Sequence, residues 1–184
     1  MIEQRGKWRR LSSEIVHANP YYRIRQDSVI KPNGSEGSYN VLESKGAVFI
    51  VAIDDQRYVY LVKLHRYTNN NISIEVPAGG LDGQDPLDAA KRELKEETGL
   101  EAASWKALGT LHPSNGIIEG KNFVFLAQDL TQTSYNEQHE EGITGVTKVK
   151  FQEALHMIRR GDITDSESIA PLAMAALEMD MLAH

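Results

Sequence analysis

Between Pro77 and Leu100 a glycine-rich turn, Pro77-Ala78-Gly79-Gly80-Leu81-Asp82-Gly83, runs into a segment with start and stop signals for a helix. Asp85 suits the N-cap, Pro86 the first turn and Gly99 the stop, so the spacing predicts a helix over 86–98. Leu87, Ala90 and Leu94 share one face and pack down, while Glu93, Glu96 and Glu97 project from the other side. Three carboxylates thus stand on one short helix, beside a backbone turn able to approach phosphates.

The surface for that apolar face comes from strand-like runs. Ala47–Ile53 is continuously apolar, Asp54-Asp55-Gln56 makes a turn, and Tyr58–Val62 returns, which predicts a central hairpin of buried strands. Further strands are expected over 72–76, 104–111, 121–127 and 146–151, with a polar loop over 131–145. Two closing helices are expected over 152–160, ended by Gly161, and 165–182, capped by Ser166. Residues 1–44 read as short polar strands and turns: Tyr21–Arg25, Ser28–Ile30, the turn Pro32-Asn33-Gly34, then Tyr39–Leu42. That stretch is too short for a large core of its own and is expected to pack on the main domain, a partner subunit or both.

A chain of 184 residues with 41% apolar side chains suits one main domain with a small appendage. A net charge of -6 argues against a dedicated nucleic-acid partner. With no cysteine, thiolate zinc sites and cysteine nucleophiles are excluded, and a cytoplasmic setting fits. Neither a signal peptide nor a membrane-length apolar run is evident.

Glu93 and Glu97 are one helical turn apart and repel each other unless a cation intervenes. Mg²⁺, or Mn²⁺ in its place, takes hard oxygen ligands and keeps open positions for phosphate oxygens. The plainer reading is a solvated acidic face, salt-bridged by Lys91, Arg92 and Lys95. The adjoining glycine turn and helix stop favour the metal site.

The segment resembles the signature of the Nudix hydrolases: a glycine, five residues, Glu, seven residues, then Arg-Glu, an aliphatic residue, any residue, Glu-Glu, any residue, Gly and an aliphatic residue. Arg92, Glu93, Leu94, Glu96, Glu97, Gly99 and Leu100 stand in register. Gln84 occupies the place of the first glutamate, and Gly79 precedes it too closely, so that the loop is one residue short. The resemblance implies an intact metal site with altered loop geometry and weakened activity. Leu64-His65-Arg66-Tyr67 and Glu75-Val76-Pro77-Ala78-Gly79 also resemble the ADP-ribose and nucleoside-diphosphate-sugar pyrophosphatases within that superfamily. The segments His112–Glu119, Tyr135–Gly142 and Asp162–Ser166 are similar to later parts of the same group.

What the resemblance implies is an α/β fold, the Nudix α/β/α sandwich with mixed sheet, over 45–184, with a strand-rich extension over 1–44 that serves as a dimerisation element. The implied metal set is Glu93, Glu96, Glu97 and Gly79; the implied catalytic group is Glu96, Arg92 and a loop carboxylate, Glu141 before Glu140. Arg66, Glu75, Ser114 and Glu119 are the implied substrate contacts, and Trp8 a stacking partner for a nucleobase. The implied reaction is Mg²⁺-dependent hydrolysis of a nucleoside-diphosphate sugar, ADP-ribose to AMP and ribose 5-phosphate, by a cytoplasmic homodimer. GDP-mannose or another such sugar is the alternative substrate, and a non-catalytic nucleotide-sugar sensor, motivated by Gln84, the alternative role.

Overall fold

The computed structural model describes residues 2–134 and 142–181, which fall into two compact units. The larger, 47–111 with 122–184, is built on a seven-stranded mixed sheet. β5 (Ala47–Ile53) lies at its centre, antiparallel to β6 (Tyr58–Arg66) and parallel to β11 (Asn122–Gln132). Outside these run β9 (Leu100–Leu111) beside β11 and β12 (Ile143–Lys150) beside β6, while β7 (Asn71–Glu75) pairs with β6 and β8 (Ala78–Gly80) with β5.

Alternate residues of β5 feed two cores, as strand geometry requires. Val48, Ile50 and Ala52 pack with Ala90 and Leu94 of α1 (Pro86–Thr98). Phe49, Val51 and Ile53 pack with Phe151 of α2 (Phe151–Arg160) and with Leu172 and Ala176 of α3 (Ser166–Glu178). Helices on both faces explain why the strand reads as a continuous apolar run, and this is the expected α/β/α sandwich.

Several boundaries differ from the sequence expectation. β9 starts at Leu100, immediately after the α1 cap, and β11 runs on to Gln132, because the two strands stay paired to Gln132↔Leu100. Polar residues there are held by ladder hydrogen bonds rather than by strand propensity. β12 starts inside the expected loop, Phe151 opens α2, and α3 is capped at Asp165 and stops at Glu178. Among the described residues no helix is long and apolar enough to cross a membrane.

The smaller unit joins residues 1–46 to 112–121. Its five-stranded sheet runs in the order β1 (Glu3–Arg5), β2 (Trp8–Ala18), β3 (Tyr22–Ile30), β4 (Glu36–Ser44), β10 (Ile118–Glu119). β10 joins parallel to β4 through Ile118↔Leu42 and Glu119↔Glu43. The inward positions of β3 are Arg25, Asp27 and Val29, so much of what this sheet buries is charged. β2 is exposed along nearly its whole length.

Candidate active site

Local signals place the acidic helix. Asp85 accepts the Leu87 amide at 2.9 Å, Pro86 opens α1, and Gly99 closes it in the left-handed conformation with φ 71°. The preceding turn is tight: Asp82 (φ 48°) and Gly83 (φ 81°) are both left-handed, and the Gln84 amide donates to the Leu81 carbonyl at 2.8 Å. Two consecutive left-handed residues are the signature of a two-residue reverse turn, which absorbs the short loop.

Glu93 and Glu97 are 5% and 6% exposed, although they belong to the helix face read as solvent-facing. Both meet β8. Glu97 Oε2 accepts the Ala78 amide at 2.8 Å, and a Cβ on Gly79 would overlap the Glu93 carboxylate. Arg92 gathers the rest: it donates to Gln84 Oε1 at 3.1 Å, the Gly80 carbonyl at 3.0 Å and Glu96 at 2.7 Å, and pairs with Glu93 at 2.8 Å. Burial works against its charge, but Glu93 and Glu96 outweigh that and hold the guanidinium above its ordinary value.

Among the described residues no three acidic or histidine side chains converge as a ready-made metal cage. Two buried carboxylates one helical turn apart on α1, set against Ala78 and Gly79 of β8, nevertheless suit Mg²⁺, which takes one or two carboxylates and completes its shell with water and substrate phosphates. The missing side chain of Gly79 leaves the space that the Glu93 carboxylate uses. Glu96 is engaged by Arg92.

Gly79 also lines a polar cavity of about 560 Å³. Arg66 and Glu75 stand in it as a two-point pair, at 2.9 and 2.5 Å. Burial opposes the Glu75 charge, yet Arg66 wins and keeps the carboxyl below its usual range. The α3 end of the cavity is formed by Thr164, Asp165, Ser166 and Glu167.

The smaller unit has its own cavity, about 580 Å³, lined by Trp8, Tyr39, Arg5, Arg10, Asn115 and Glu119 among others. Trp8 meets Tyr39 edge-on with ring centres 5.4 Å apart. Glu119 pairs with Arg25 at 2.7 Å. Arg25 also holds Asp27 and Glu43, and its charge is favoured over burial by these three carboxylates. Ser114 builds the neighbouring turn, its carbonyl accepting the Ile117 and Ile118 amides at 2.8 and 3.0 Å.

Residues 43–170 match the NUDIX domain family, and residues 8–42 match the nucleoside diphosphate sugar hydrolase N-terminal domain. The chain is a Nudix hydrolase. It is 36% identical to the ADP-ribose pyrophosphatase of Mycobacterium tuberculosis over 87% of this chain and 79% of that protein. It is 29% identical to the GDP-mannose pyrophosphatase of Escherichia coli O1:K1 over 74% of this chain and 75% of that one. A solved ADP compounds hydrolase shares the fold, with a TM-score of 0.84, 20% identity and 97% coverage of both chains. The protein is therefore an enzyme of the Nudix pyrophosphohydrolase type, and the sensor alternative gives way.

Of the site residues expected from sequence, Glu93, Glu97, Gly79, Arg92 and Glu96 lie together around α1 and β8. Arg66 and Glu75 line the adjoining cavity, and Trp8 and Glu119 share the cavity of the smaller unit. Glu140 and Glu141 lie outside the described residues. Sequence reasoning missed the Arg25–Asp27–Glu43 cluster and the α3 residues Glu167 and Ser168; Asp165, the α3 N-cap, lies in the segment Asp162–Ser166 that it quoted only as scaffold. The alternation Arg23, Arg25, Asp27 on one strand carries a weak signal for the first; the α3 group carries none, because its partners are distant in sequence.

Proposed function

We propose that this Nudix hydrolase cleaves the diphosphate of a nucleoside-diphosphate sugar, with ADP-ribose, giving AMP and ribose 5-phosphate, as its first substrate. The observation that carries this reading is the buried pair Glu93 and Glu97 against Ala78–Gly79, at a polar cavity that Gly79 also lines. The Mycobacterium tuberculosis relative favours ADP-ribose; the Escherichia coli relative keeps GDP-mannose as the alternative.

In this reading Glu93, Glu97 and the Gly79 main chain hold Mg²⁺, or Mn²⁺, with Glu96 as a further carboxylate. A metal held by these residues would supply positive charge to the diphosphate and would make a water more acidic. Arg92 keeps Glu93 and Glu96 oriented through the contacts described above. Glu141, or Glu140 in its place, takes the proton from the attacking water. The water oxygen bonds to one phosphorus, the bond from that phosphorus to the bridging oxygen breaks, and the other phosphate leaves with that oxygen. Arg66, fixed by Glu75, meets the diphosphate or sugar. Trp8 offers an aromatic face to the base, with Glu119 and Ser114 nearby. Residues 1–44 act as the dimerisation element, the enzyme works in the cytoplasm, and neither membrane nor nucleic acid is its partner.

Product analysis by mass spectrometry on a sugar-nucleotide panel tests this. AMP and ribose 5-phosphate should form with Mg²⁺ and not with chelator. Glu97→Gln should lower kcat by more than about 100-fold, above the loss typical of a supporting residue, with the fold intact. Wild-type turnover by that variant would sink the metal assignment.

A further inference from the structure

The polar cavity beside Gly79 has an uneven charge. Its cation, Arg66, is bound at two points by Glu75, and no other Lys or Arg lines it among the described residues. The remaining charged side chains, Asp165 and Glu167, are both acidic and both sit at the start of α3. The other polar groups are neutral hydroxyls and an amide: Thr68, Asn69, Ser73, Thr164 and Ser166. Such a wall suits a polyhydroxylated ring. It offers nothing to a second anion.

Both acids are held in place. Asn122, 4% exposed, donates to the Glu167 carboxylate. Asp165 accepts the Ser168 hydroxyl at 2.7 Å, and Ser168, 1% exposed, accepts the Val76 amide at 3.1 Å. The start of α3 is thereby tied to the segment that leads into Gly79. A helix start favours a nearby negative charge; at α3 the two fixed carboxylates already supply it, although neither caps the helix with its side chain. The local field shows on Glu167 itself: burial first, then the Asp165 charge, pushes its carboxyl above the ordinary value.

We infer that Glu167 is a specificity-determining residue that excludes sugars bearing a negative charge, so that the enzyme accepts nucleoside diphosphates of neutral sugars and rejects those of sugar acids and phosphorylated sugars. This rests on the reading given under Proposed function. The exclusion is electrostatic: a carboxylate on the sugar would lie in a confined space beside Glu167 and Asp165, where the one lining cation among the described residues, Arg66, is already paired with Glu75.

The test uses the full chain with Mg²⁺ and two substrates that differ only in one carboxylate, UDP-glucose and UDP-glucuronate, alongside ADP-ribose as a neutral reference. In the wild type, kcat/KM for the neutral hexose should exceed that for the acid by at least about 10-fold, the scale of one unfavourable like-charge contact. Glu167→Gln should raise kcat/KM for UDP-glucuronate and bring the two substrates within about threefold, through KM more than kcat. The readout is the ratio of kcat/KM for the two substrates within each protein, whatever the change in either alone. The substrates are compared at one fixed ionic strength, so that long-range repulsion from the net negative chain is the same in every protein. Glu167→Ala serves as the second substitution should the glutamine variant fold poorly.

Neutral and acidic sugars cleaved equally by the wild type would overturn the inference and leave the hydrolase reading intact. A discrimination that persists unchanged in both Glu167 variants would overturn it as well. Should no sugar nucleotide be cleaved or bound, by calorimetry, the reading under Proposed function falls and this inference with it.

Discussion

Arg92 holds two carboxylates, Glu93 and Glu96, and two uncharged acceptors, the Gln84 side chain and the Gly80 carbonyl. The side-chain carbonyl of Gln84 fixes the guanidinium without neutralising it, so the cation is shared between Glu93 and Glu96. Gln84→Ala removes one neutral hydrogen bond and should lower kcat/KM by about 3–10-fold, the effect of roughly 1 kcal/mol. Arg92→Ala strips two carboxylates of their cation and should cost about 10–100-fold, as loss of an orienting partner does. Steady-state kinetics on both variants checks the order; an equal loss would show that Gln84 matters through more than Arg92. Gly79 imposes a different constraint. A methyl group there overlaps the end of a flexible side chain, not backbone. Gly79→Ala should therefore displace the Glu93 carboxylate and cut kcat by more than about 100-fold, while the melting temperature moves by only a few degrees. A large loss of stability would mean that the backbone, not Glu93, yields.

At the level of elements, α3 is hydrogen-bonded to the link between β7 and β8 by one hydroxyl, that of Ser168. Ser168→Ala leaves the buried Val76 amide without its acceptor. That should cost about 1–3 kcal/mol, at roughly 2–4 °C in Tm per kcal/mol for a chain of this size. Ser168→Thr, which keeps the oxygen, should recover most of it, as thermal unfolding would show. This contact also marks the limit of what the chain reveals by itself. α1 was legible to the residue because its cap, proline, apolar stripe and stop are local. The buried β5–β6 hairpin was legible because helices on both faces impose an unbroken apolar run. Glu93 and Glu97 were found as a pair, but their burial against β8 was not, since charge pattern alone reads as a solvated face. Ser168 and Glu167 escaped altogether, because their partners Val76 and Asn122 come from other parts of the sequence. So did the place of residues 112–121, which join β4 through two residue pairs.

Across the whole molecule, the smaller unit raises two questions, of which its sequence posed only the one about a partner. Its buried strand carries Arg25, with Asp27 and Glu43 as partners. Burial raises both carboxyls, but their arginines and, for Asp27, Ser13 outweigh it and hold them below the ordinary range. A carboxyl depressed on folding contributes stability above its unfolded value, about 4, and loses it as pH falls through the folded value. Stability, measured by denaturant unfolding, should therefore fall as pH drops from about 4 through the folded value, and Asp27→Asn should flatten that dependence. The second question is what covers β2. Beyond Arg10 its outer edge has no strand neighbour among the described residues, and Leu11, Ile15 and Val16 are exposed along it, with Tyr21 and Tyr22 close by in sequence. An open edge with apolar side chains invites another chain, and a second copy of this one is the partner proposed. Light scattering at micromolar concentration should then give twice the chain mass of 20.6 kDa. Ile15→Lys with Val16→Lys should return it to one, because two buried charges at a symmetric interface are repeated on each side. A wild-type protein that scatters as a single chain would remove the dimer, and with it the role given to residues 1–44.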